Sequence, residues 1–143
     1  MQNDHEMLNS IRQTAQMGCY GIQTVLPECE DPELAGALRQ QLSEYARLFD
    51  EADRLLDAHG GRKKDINPMA KYGSAMTSMV KVRASRDPGS KIAELMLQGN
   101  TRGMIKSIHN SRTMEALDPK VSALSNRLLQ TEQANIDQMK RFL

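Results

Sequence analysis

Aromatic residues are nearly missing from this chain: 143 residues include three tyrosines, two phenylalanines and no tryptophan. A core built without large rings must be filled by aliphatic and sulfur side chains. Ten methionines, unbranched and adaptable, suit helical interiors. Cysteine is equally sparse. Cys19 and Cys29 stand in plain surroundings, which implies free thiols in a reducing cytosol rather than a disulfide framework. No apolar run approaches the roughly 18 residues of a membrane span. The opening MQNDHEMLNS has neither the basic nor the apolar segment of a secretory signal, so a cytoplasmic location is expected. Histidine occurs only as His5, His59 and His109, too scattered to suggest a Ser-His or Cys-His pair. No segment sustains period-two alternation, so no sheet is expected.

The length fits one domain, residues 1–143, able to bury a real core. Net charge is +1 but unevenly spread. Residues 1–59 carry four basic and eleven acidic side chains, whereas residues 60–91 carry eight basic and two acidic. Such a split can mark an anionic partner or a basic element folded onto an acidic one. The second reading is preferred here, because Asp50, Glu51, Asp53 and Asp57 form a nearby acidic counterpart.

Punctuation and apolar spacing predict five helices. The first spans about 4–26, with Leu8, Ile11, Ala15, Gly18, Ile22 and Val25 on one face. Asp31 as N-cap and Pro32 at the first helical position open the second, about 31–58. Its inner face carries Leu34, Leu38, Gln41, Tyr45, Leu48, Ala52 and Leu55, and HGG ends it. A shorter helix at about 68–85 has the stripe Met69, Tyr72, Met76, Met79 and Val80, and RDPG reads as its stop. Ser90 reads as the N-cap of the fourth, about 90–117, with Glu94 in its first turn. The fifth, about 119–142, carries Val121, Leu124, Leu128, Thr131, Glu132, Asn135, Met139 and Phe142. Short turns make helices one and two, and four and five, antiparallel hairpins. If the 68–85 helix carries the chain back along the bundle, the fold is an all-α ferritin-like four-helix bundle with an extra helix in a long crossover. A five-helix up-and-down bundle is the alternative.

QGNTRG, within the fourth helix, resembles a phosphate loop only superficially. It follows helix rather than strand and lacks a Walker lysine. Gly99 and Gly103 share a face, and Gly18 and Gly21 on the first helix offer a matching narrow surface, so close helix packing is expected. A di-iron centre would need a Glu from each of two helices and Glu-x-x-His from each of the others. Here the corresponding stretches read Glu132-Gln-Ala-Asn135 and Glu44-Tyr-Ala-Arg47, and small residues stand where the remaining glutamates would be required. Neither cofactor nor metal is expected. What remains is a possible buried polar layer of Gln41, Glu44, Tyr45, Glu132 and Asn135, in which Glu132 could pair with Tyr45, Arg47 or Arg102 and fix helix register.

The hairpin LPECEDPELAGALRQQLSEYARLFDEADRLL and the helix GSKIAELMLQGNTRGMIKS, in this order, resemble small bacterial ferritin-like proteins, similar to the family of spore-coat protein F of Gram-positive bacteria. The resemblance implies a ferritin-like bundle associated with a coat or another assembly, and supplies no catalytic residues. The expected function is therefore a non-enzymatic bundle acting through protein contacts, as a homodimer or in a larger assembly. A second apolar row, Leu97, Met104 and Ile108, agrees with a dimer contact. One alternative is a module holding a small ligand or atypical metal around Glu132. A weaker one is an anionic membrane-surface binder using the 68–85 helix and its Lys71, Lys81 and Arg83. Nucleic acid is not an expected partner, since the basic segment lacks interleaved aromatics. The 68–85 stripe itself is expected to pack on its own bundle.

Overall fold

The structure, a computed structural model, describes residues 2–143. Its described residues form five α-helices and no strand: α1 (Gln2–Val25), α2 (Pro32–Ala58), α3 (Pro68–Ala84), α4 (Pro88–Thr113) and α5 (Pro119–Lys140). A single 3-10 turn, Leu26–Glu28, separates α1 from α2. Among the described residues no helix is long and apolar enough to cross a membrane.

Four helices open in the same way. Asp31, Asn67, Asp87 and Asp118 each accept backbone N–H groups of the first turn through the side chain, and each is followed by proline. The proline sits where a helix needs no donor, with its φ already set. This pairing moves the start of α4 to Pro88, because Asp87 rather than Ser90 is the cap. RDPG is thus the opening of a helix as well as the end of one. At its other end α4 stops at Thr113, four residues short of the expected limit.

Contacts between side chains fix the directions of the long helices. Along α1 and α4, Gly21 lies against Met96, Thr14 beside Gly103, and Ser10 accepts a hydrogen bond from Asn110. Along α2 and α5 the pairs are Glu33–Arg141, Gln41–Gln138 and Tyr45–Glu132. Numbers run oppositely in both sets, so both pairs are antiparallel, as are the α1–α2 and α4–α5 hairpins. Each of the four long helices therefore meets two antiparallel neighbours, and α2 and α4 run the same way. The core lies between them, with Leu8, Ile11, Ile22, Leu34, Leu38, Leu48, Leu56, Ile92, Val121 and Met139 all buried.

The chain returns from α2 to α4 through an extended segment and α3. The segment is strapped to α1. Asn9 donates to the carbonyls of His5 and Arg62 and accepts from the Lys64 N–H. Arg12 donates to Asp53 at 2.9 Å and to Asp65 at 2.7 Å, with its guanidinium 4.6 Å from the Phe49 ring centre. Lys63 reaches Asp53 and Asp57, so part of the basic segment does fold onto the acidic face of α2.

The α3 helix departs from the sequence expectation. It packs against α1 and α4, but through Lys71, Ala75, Ser78 and Val82, of which only Val82 is fully buried. Lys71 lies 4.4 Å from the Tyr20 ring centre, a cation held over an aromatic face. The anticipated inner stripe turns outward instead: Met69 is 84% exposed, Tyr72 63%, Met76 71% and Val80 63%. Met79 lies on the boundary, half-buried. The face of α3 that meets α1 and α4 is thus the one carrying Lys71, Ala75, Ser78 and Val82 rather than the most apolar one.

Candidate functional site

Halfway along the core, each long helix contributes to a single polar layer. On α5, Glu132 is 1% exposed, with Asn135 one turn further on and also buried. Tyr45 of α2 aims its hydroxyl at the Glu132 carboxylate, 2.6 Å away, and at Asn100 Oδ1 of α4, 2.7 Å away. Two glycines make this possible. A Cβ on Gly18 of α1 would lie 2.7 Å from Tyr45 ring carbons, and one on Gly103 of α4 would lie 2.7 Å from Glu132 Oε2. The narrow surfaces therefore accommodate the ring and the carboxylate of the layer, rather than the backbone of a facing helix.

Among the described residues no cation pairs with Glu132. Arg47 and Arg102 are both exposed, so of the three expected partners only Tyr45 meets it. Burial pushes the Glu132 carboxyl up to about 7, against a smaller opposing effect of the Tyr45 hydrogen bond. Burial likewise lifts Tyr45 well above the usual phenol range, reinforced by the charge that Glu132 would carry. Asn135 Nδ2 lies near enough to the hydroxyl to temper this rise, yet makes no hydrogen bond of full geometry. Asn100 Nδ2 is also buried and unpaired. Two orphaned donors in one layer are unusual, because an unmet buried polar group costs about 1–3 kcal/mol.

The other expected members lie further out. Gln41 is buried but donates to Gln138 at 2.7 Å, one layer nearer the 3-10 turn. Glu44 is half-buried at the edge of α2 and outside this network. Gly21 makes only an ordinary contact with Met96, 3.8 Å from a Cβ placed there. Gly99 is exposed, and a Cβ on it would meet nothing within 4 Å, so it takes no part in close packing. The core face of α4 lies to one side of it, through Asn100, Gly103, Ser107 and Asn110. That 3-4-3 spacing was present in the sequence, but as a stripe of small and polar residues it is invisible to a search for apolar periodicity.

The arrangement can hold a proton on Glu132, within a hydrogen-bonded chain that runs from Glu132 through Tyr45 to the Asn100 amide oxygen. It offers little to a metal, since among the described residues no three His, Cys, Asp or Glu side chains converge. Cys19 and Cys29 are free thiols, both raised above the ordinary range by burial. Comparison with protein-family models, curated proteins and solved structures finds no match to this chain.

Proposed function

We propose that this chain is a non-enzymatic bundle of ferritin-like layout, without a di-iron site, that works by pairing with a second copy of itself along the outer face of α3. The layout is supported by the two antiparallel hairpins and by the crossover that leaves α2 and α4 parallel. The single observation carrying the function is the exposed row Met69, Tyr72, Met76 and Val80, spaced 3-4-4 on one face of a helix. A row of this kind is what an amphipathic helix presents to a partner helix.

Shape favours a second copy as the occupant, and its cations can be kept apart. Between Pro68 and Ala84 there is no acidic residue, and the exposed cations Lys81 and Arg83 lie at the C-terminal end. Antiparallel pairing of two α3 helices places these cations at opposite ends of the contact, as a two-fold axis requires. Gly73 lies beside the row, exposed, with nothing within 4 Å of where its Cβ would stand. An interior glycine costs a helix about 1 kcal/mol relative to alanine, and close approach of another helix would offset it. One helix face buries less than the roughly 800 Å² per partner of a standard interface, so the dimer is expected to dissociate in the micromolar range.

Sedimentation over a range of concentrations tests this. A monomer–dimer equilibrium is expected, and Met76→Glu should shift it at least tenfold toward monomer. A protein monomeric at several hundred micromolar removes the reading. If that monomer instead binds anionic vesicles in a salt-sensitive way, α3 is a membrane-surface element.

A further inference from the structure

We propose that the polar layer is a proton-linked switch: Glu132 is a neutral acid donating to Tyr45, and loss of its proton redirects the layer toward the unpaired amides of Asn100 and Asn135. This inference does not depend on how α3 is used.

Counting hydrogens leads to it. Tyr45 has one hydroxyl proton, yet two acceptor oxygens lie within hydrogen-bond distance of it, Glu132 Oε1 and Asn100 Oδ1. One proton cannot serve both. With Glu132 protonated the count closes: Glu132 donates to Tyr45 Oη, and Tyr45 donates to Asn100 Oδ1. Reversing the Asn100 amide would also close it, but would leave a buried carboxylate with a single donor and put an orphaned oxygen where the orphaned Nδ2 now stands. The first arrangement buries no charge and is the less costly.

The surroundings are neutral on every side. From α2 the titratable neighbour is Tyr45 itself, and from α1 it is Cys19, close enough to act on Tyr45. The α1 and α4 helices bring Thr14, Gly18, Asn100 and Gly103 to the site, and α5 adds Asn135. Among the described residues, ionisation therefore has no cation to meet it. The groups able to respond are the two unpaired donors, Asn100 Nδ2 and Asn135 Nδ2. Once Glu132 is ionised the single Tyr45 proton is drawn to it and leaves Asn100 Oδ1, so the Tyr45–Asn100 link that ties α2 to α4 is lost and the exchange has two discrete arrangements.

The experiment is infrared and NMR spectroscopy of the full chain from pH 5 to pH 9, with Glu132→Gln as reference. Expected are a protonated-carboxyl stretch at pH 5 that is absent from E132Q and disappears through neutrality, and matching shifts of the Asn100 and Asn135 side-chain amides. The unfolding constant of the wild type should rise on the order of a hundredfold more than that of E132Q between pH 5 and pH 8. A wild-type carboxyl already ionised at pH 5, or amide signals indifferent to pH, would overturn the proposal. Should E132Q fail to fold, the wild-type band and amides followed across the same range still decide.

Discussion

Gly18, Gly99 and Gly103 look equivalent as letters and differ in what surrounds them. A methyl group at Gly18 or Gly103 would press on the Tyr45 ring or the Glu132 carboxylate, both held in a closed layer. Gly18→Ala and Gly103→Ala are each expected to lose about 1–3 kcal/mol in chemical denaturation. Gly99→Ala meets open space and should gain up to about 1 kcal/mol. Glu132 adds a pH dependence whose sign is fixed by burial. Below its unfolded value of 4.5 both states hold the proton. Between there and about 7 only the folded state does, so stability falls as pH rises and levels off beyond neutrality. The loss is on the order of 3 kcal/mol and should vanish in E132Q, as read from unfolding midpoints. Tyr45 and Glu132 were legible as layer members from their places on apolar stripes. Asn100 was not, because its neighbours along α4 are glycine, serine and asparagine, which no hydrophobic pattern picks out.

Elements were legible where caps and prolines mark them. Asp-Pro or Asn-Pro opens four of the five helices, and three of those starts were read correctly. The fourth was misplaced because RDPG also suits a turn. The inner face of α3 was misread for a different reason. Periodicity locates the most apolar face of a helix, whereas packing selects the face that fits, here the small edge around Ala75 and Ser78. This separation gives Gly73→Ala two opposite effects. The helix should become more stable by up to about 1 kcal/mol, while the dimer proposed above should weaken, because the added methyl group holds the second helix away. Thermal unfolding and sedimentation of the same variant would register the two effects independently.

Across the whole molecule, the strap between α2 and α3 is fastened to the first hairpin. Asn9 and Arg12 hold the 59–67 segment by side-chain bonds to its carbonyls, an N–H and Asp65. Asn9→Ala removes both a donor and an acceptor, leaving the Arg62 carbonyl and Lys64 N–H without this partner. A loss of about 1–3 kcal/mol is expected, with new cleavage between Gly60 and Asn67 in limited proteolysis. Intact resistance of that segment would mean the strap contributes little. No corresponding pattern in the sequence announces it, since hydrogen bonds from α1 to residues more than fifty positions away leave no local periodicity.

The foot of the bundle has a consequence for the order in which the chain emerges from the ribosome. Asp4 accepts the backbone N–H of Asp118, Asn3 donates to the Glu115 carbonyl, and Ser10 accepts from Asn110. The α1 helix, translated before α4 and α5, thus gains these tethers only when the α4–α5 hairpin arrives. Until then the nascent α1–α2 hairpin leaves the core side that α4 and α5 will cover open to solvent, a period in which a holdase chaperone has a surface to grip.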